Sequence, residues 1–150
     1  MNTEIFPIIF IGLFAGHHAG DYWIQTDHQA ITKGKPGAEG IRACLAHVTG
    51  LTLTKLIFVG SLLSISGLAP SPFWFLFGVF VDASSHYWAD RRTTLEKLAK
   101  VLRKSTFYQM GKDTVHTSSP PGTHVGVGSH ALDQAFHLVF LVVGSVLMSM

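Results

Sequence analysis

Four stretches of this chain are apolar, and in each the polar residues gather at one end. The first is apolar from Ile5 to Ala15 and then reads His17-His18-Ala19-Gly20-Asp21. The second opens with His47 and runs apolar to Ser66. The third is apolar from Phe73 to Val81 and continues into Asp82, His86 and Asp90. The fourth opens with His130, Asp133 and His137 and then runs apolar to Val143. Folded up-down-up-down, the four stretches bring every polar cluster to the same end of a bundle. Ionisable groups inside membrane helices are costly and mark functional sites by default.

Punctuation along the chain predicts the elements. A first helix is expected over residues 4–31, with Pro7 in its first turn. Lys33-Gly34-Lys35-Pro36-Gly37 ends it. A second helix is expected over 39–66, stopping at Gly67, and Ala69-Pro70-Ser71-Pro72 forms a short turn. Ser71 is placed to cap a third helix over 72–92, with Pro72 at its first position. Thr93 and Glu96 fit a capping box for a short helix carrying Leu95, Leu98, Val101 and Leu102 at helical spacing. That amphipathic pattern suits a helix lying on an anionic leaflet and equally one packed on its own domain. Residues 105–129 read as a loop rich in Thr, Ser, Pro and Gly, and a fourth helix runs from 129 to the end. The expected fold is all-α: a single integral-membrane domain over 1–150, a four-helix transmembrane bundle with a short surface helix between the third and fourth spans.

Composition strengthens the membrane reading. Hydrophobic residues make up 47% and charged residues only 13%, against roughly 25% charged in an ordinary soluble domain. Cys44 stands alone and excludes an internal disulfide. Lys33, Lys35 and Arg42 follow the first span; Arg91, Arg92, Lys97, Lys100, Arg103, Lys104 and Lys112 follow the third. Lys55 is the exception, inside the second span. The positive-inside rule makes the basic side cytoplasmic, so both termini are expected outside and the His/Asp end faces the cytoplasm of a bacterial inner membrane. The N-terminus lacks a basic region and a small-residue cleavage site, and is expected to be a retained helix rather than a signal peptide. The same positive-inside bias accounts for the basic stretch 91–112, which makes nucleic-acid binding unlikely; membrane lipids are the expected partner.

Depth is consistent among the spans. At 1.5 Å per residue, His17 lies ~18 Å, Asp82 ~15 Å and His137 ~20 Å from the outer end of its helix. All three sit near the middle of a hydrocarbon core about 30 Å thick.

The spacings put ligand-type residues on shared faces. Asp82, His86 and Asp90 are spaced i, i+4, i+8; His130, Asp133 and His137 are spaced i, i+3, i+7; His17 and Asp21 are four apart. His47 adds one imidazole. These nine residues exceed the three or four ligands that one zinc ion takes, and carboxylate-bridged helical bundles hold two ions. Without thiolates the ion is expected to be Zn first, with Mn or Fe as alternatives. A bound metal lowers the pKa of a water to near 7 and polarises a phosphoryl oxygen. Asp21, Asp90 and Gln25 are the candidates for work at the reacting centre, as general base or as orienting groups. The other reading of each helix face is an interhelical hydrogen-bond network, since buried carboxylates need partners even without metal. His28, His116 and His124 fall outside the aligned depth, and Cys44 reads as a small buried filler. Tyr22, Trp23, Tyr87 and Trp88 fit an interfacial aromatic belt.

The order His-x3-Asp-Tyr-Trp-x-Gln-Thr, a lone His, Asp-x3-His-x3-Asp and Leu-Asp-Gln-x2-His resembles a family of small bacterial and phage membrane proteins, domain-of-unknown-function family 3307. The resemblance carries over to His17, Asp21, Gln25, His47, Asp82, His86, Asp90, Asp133 and His137 and implies no activity. More distantly, the arrangement is similar to membrane-bound metal-dependent hydrolases and to the zinc phospholipase C and P1 nuclease group. The leading expectation is a membrane-embedded metal-dependent hydrolase of a phosphoester or lipid-like substrate. An ion or proton relay, with Lys55 extending the path, is the runner-up. A non-catalytic accessory protein with a structural metal is the third.

Overall fold

The computed structural model describes residues 2–111 and 126–150. Among these the chain is all-helical: α1 (Ile5–Ala19) running into a π-helical turn (Gly20–Ile24), α2 (Asp27–Thr32), α3 (Gly37–Ser66), α4 (Pro72–Asp90), α5 (Thr93–Val101), α6 (Ser105–Gln109) and α7 (Val127–Met148). The long helices begin and end close to where the punctuation puts them. α3 stops at Gly67, whose φ of 68° is the left-handed geometry that terminates helices cheaply only at glycine.

Three expectations are corrected, and one open alternative is decided. The first helix does not continue to residue 31. Thr26 Oγ1 accepts from the Gln29 N–H at 3.2 Å and Gln29 Oε1 accepts from the Thr26 N–H at 3.0 Å. This capping box starts α2 afresh. Ser71 and Thr93 make no cap bonds; α5 instead follows Arg92 at φ 55°, and the Thr94 hydroxyl donates to the Trp88 carbonyl. The stretch expected as loop holds α6. Of the two readings of the short amphipathic helix, packing on its own domain describes α5: Leu95 and Ala99 pack with Tyr108, Leu132 and Phe136. That packing replaces the leaflet contact for this face, although Val101 and Leu102 remain exposed. Lys112, His116 and His124 lie outside the described residues.

α1 packs on α3 and α7, and α4 packs on α7 and α3. The Asn2 N–H donates to the Ser149 carbonyl at 2.6 Å, so the two ends of the chain meet at one end of the bundle. That end is filled by Ile5, Ile9, Leu13, Val59, Leu63, Leu141 and Met148. Glycine lets α1 approach α3: a Cβ on Gly12 would stand 2.8 Å from Val59 Cα, and one on Gly16 2.6 Å from Lys55 Cα.

α3 and α7 are long and apolar enough to cross a membrane. Large apolar side chains also cover the outside of the bundle: Ile65 is 84% exposed, Phe73 69% and Phe80 67%. Several hydroxyls in the long helices turn back on their own backbone, Thr54 to Gly50, Ser61 to Ile57 and Ser145 to Leu141, and these three do not need water.

At the opposite end, Arg91 donates to the carbonyls of Lys33 and Lys35 and Arg92 to that of Ala30. These bonds tie the α2–α3 connection to the end of α4. Above them lies a cleft of about 660 Å³.

Candidate metal centre

Two buried ammonium groups organise the polar end. Lys55 reaches Asp82 Oδ2 at 2.8 Å and His86 Nδ1 at 3.3 Å. Lys33 reaches Asp90 Oδ1 at 2.8 Å. Neither role was legible in the pattern. Lys33 reads as a loop charge, and Lys55 as an exception to the charge bias. The only sequence signal was for Lys55, since a charge within an apolar span needs a partner.

From Lys55 a hydrogen-bonded chain runs to Asp21, and its direction is forced. An ammonium only donates, so His86 Nδ1 accepts. His86 Nε2 then carries the proton and donates to His17 Nδ1 at 3.2 Å. His17 Nε2 donates to Gln134 Oε1 at 3.2 Å, and Gln134 Nε2 donates to Asp21 Oδ2 at 3.2 Å. A carboxylate only accepts, so the chain ends there consistently. Both nitrogens of His17 and His86 are consumed. These two imidazoles, with Asp82 held by Lys55, build the network rather than offer free lone pairs. Of the alternatives for Asp82-His86-Asp90, the interhelical network therefore describes its first two members.

His137 is the opposite case. It is fully buried and neither ring nitrogen has a hydrogen-bond partner. Its ring stacks on His86 at 3.8 Å, which holds its plane. Nε2 points toward Asp133 Oδ2 at 3.4 Å and Asp90 Oδ1 at 3.8 Å. Asp90, Asp133 and His137 form a group whose ligand atoms lie within 4.8 Å of one another, with the geometry to hold a metal ion. With bonds of about 2.0–2.2 Å, two ligands on one ion stand roughly 3–3.5 Å apart, so the His137–carboxylate distances already suit an ion to within a few tenths of an ångström, and binding would draw the two carboxylates closer together. Asp133 is partly exposed and lines the cleft, so the group is reachable from that side.

The remaining candidates sort by place. His47 Nε2 stands 3.1 Å from Asp21 Oδ1 and 3.2 Å from Asp90 Oδ2, with Gln25 beside its ring at 2.7 Å from Nδ1. His130 is exposed at the cleft rim, its Nε2 3.2 Å from the Tyr22 hydroxyl, and does not join the group. His28 is exposed, and the buried Cys44 thiol faces the Tyr87 carbonyl. Tyr108 lines the cleft and its hydroxyl donates to the Arg92 carbonyl at 3.3 Å. Burial first, then the charge of Glu96, raises its pKa and keeps it a donor.

Charge does not balance within the cluster. Asp21, Asp82, Asp90 and Asp133 face Lys33 and Lys55, which leaves a formal charge of −2 with neutral imidazoles. Uncompensated buried charge is expensive. A divalent cation, or two protons, removes it.

No family model, curated protein or solved structure matches the chain.

Proposed function

We propose that the chain is a metal-dependent hydrolase embedded in the bacterial cytoplasmic membrane by four spans, acting on a phosphoester presented at the cytoplasmic side. The carrying observation is His137: a fully buried imidazole with two unpartnered nitrogens, aimed at two carboxylates beneath an open cleft. Burying such a group without partners costs about 1–3 kcal/mol per polar atom, and a metal ion would supply the interaction that Nε2 lacks. Zinc suits the N/O set best, with Mn or Fe as alternatives. When bound it would activate water and polarise the phosphoryl oxygen. Around it, Asp90, paired with Lys33, and Asp133 would hold the ion, and Arg92 lines the cleft as a countercharge for an anionic substrate. The lipid-facing apolar side chains of α3 and α4 support the bundle's place in the membrane, and the basic residues near the cleft support a cytoplasmic mouth.

The chain of hydrogen bonds from Lys55 to Asp21 favours a second reading, a proton or ion relay. Beyond Lys55, however, the described interior is Ile9, Leu13, Val59, Leu63 and Leu141, with the hydroxyl of Ser145 bonded to its own helix. A route across needs polar groups there, so the dead-end pocket of an enzyme fits better.

The test is metal content by inductively coupled plasma mass spectrometry on detergent-purified protein, beside His137→Ala, followed by a phosphomonoester and phosphodiester screen. Bound Zn, Mn or Fe lost in a folded His137→Ala variant, together with metal-dependent turnover, is expected. A folded, metal-free wild type would leave the relay as the better reading.

A further inference from the structure

We infer that the centre takes a second divalent cation, held by Asp21, His47 and Asp90, with the Asp90 carboxylate bridging the two ions. The inference rests on the reading of Asp90, Asp133 and His137 as a metal site and adds a separate set of atoms. His47 Nε2 lies 3.1 Å from Asp21 Oδ1 and 3.2 Å from Asp90 Oδ2. Each of these two distances is that of neighbouring ligands on one ion; an ion there would draw the Asp21 and Asp90 carboxylates together around His47 Nε2. Neither carboxylate oxygen has a hydrogen-bond partner, although both side chains are more than nine-tenths buried. One imidazole N–H cannot serve both.

The two oxygens of Asp90 face different neighbours. Oδ1 is turned to His137 and Lys33, Oδ2 to His47. A carboxylate presenting one oxygen to each of two imidazole-carboxylate groups is the bridging arrangement of paired-metal sites, which hold ions about 3.5–4 Å apart. Gln25 completes the second site from outside. Its amide nitrogen lies 2.7 Å from His47 Nδ1 and 3.1 Å from Nε2; with the amide rotated by 180°, its oxygen would accept the Nδ1 proton and leave the Nε2 lone pair to the ion, as the outer partners of metal-bound histidines do. Gln134 likewise holds Asp21 Oδ2, leaving Oδ1 for the ion. Two divalent cations bring the cluster from a formal −2 to +2, the charge that a bound phosphate dianion cancels. Lys33 on Asp90 Oδ1 is the group that must give way when both ions and an anion are present.

The experiment uses the full chain in detergent, loaded with Mn(II) by equilibrium dialysis. Stoichiometry is read by mass spectrometry, coupling by electron paramagnetic resonance, and folding by circular dichroism. Wild type is expected to bind two equivalents and to give the spectrum of an exchange-coupled pair. Asp21→Asn and Asp133→Asn should each retain one equivalent with an uncoupled six-line spectrum, and Asp90→Asn should retain none. If Asp21→Asn fails to fold, His47→Gln and the wild-type coupling decide. One uncoupled equivalent in wild type, surviving in Asp21→Asn or His47→Gln, overturns the second ion while the first site stands. No bound metal in folded wild type overturns both.

Discussion

Replacing Lys55 by Met tests whether the buried ammonium is a structural counterion. The side chain is 1% exposed, and its Nζ contacts Asp82 Oδ2 and His86 Nδ1. Met matches the aliphatic stem and removes only the charge. Asp82 Oδ1 already lacks a partner, so the substitution leaves the whole carboxylate uncompensated in the interior. Removing one member of a buried pair costs about 3–5 kcal/mol, a large share of a total stability of roughly 5–15 kcal/mol. At roughly 2–4 °C per kcal/mol for a chain of this size, the melting midpoint should fall by roughly 6–20 °C. The double variant Lys55→Met/Asp82→Leu removes both charges and should recover most of that loss. It should stay short of full recovery by about 1 kcal/mol, because His86 Nδ1 still lacks its donor. Circular dichroism during thermal unfolding in a mild detergent reads both. The reasoning is refuted if Lys55→Met melts within a degree of wild type, or if the double variant is as unstable as the two single variants added together. Metal content supplies a control, since the Asp90, Asp133 and His137 group does not touch Lys55 and should keep its ion.

Two further expectations concern the scaffold. Gly16→Ala would drive a Cβ to 2.6 Å from the Lys55 backbone, while Gly60 has nothing within 4 Å. Thermal unfolding should therefore show Gly16→Ala destabilised by about 1–3 kcal/mol and Gly60→Ala stabilised by about 0.5–1 kcal/mol; a loss at Gly60 or none at Gly16 contradicts the close α1–α3 approach. Thr26→Ala deletes the cap of α2 and should cost about 0.5–2 kcal/mol. Because α2 leads into Lys33, hydrogen exchange should rise along residues 26–33, and unchanged exchange there would show that the arginine bonds to this segment suffice without the cap.

Periodicity and punctuation carried the long helices. Apolar runs bounded by Gly and Pro leave few places for a helix to end, so α3, α4 and α7 are legible within a residue or two. The gathering of His17, His47, Asp82, His86, Asp90 and His137 at one end was legible too, because it follows from span direction alone. The break at Gln25 was not, since a single Thr-x-x-Gln box competes with a long helical pattern and only its formed hydrogen bonds decide. Nor was the division of labour among the histidines. His17, His86 and His137 are alike in the sequence: each is one imidazole on a helix face with an Asp four residues away. What separates them is which neighbour occupies each ring nitrogen, and those neighbours, Lys55, Gln134 and the Asp90–Asp133 pair, come from other helices. The sequence by itself determined that titratable groups would be buried together at one end of an apolar bundle. Only the tertiary structure decided which of them satisfy one another and which are left facing an ion, because hydrogen-bond satisfaction depends on distances of a few ångströms between segments far apart in the chain.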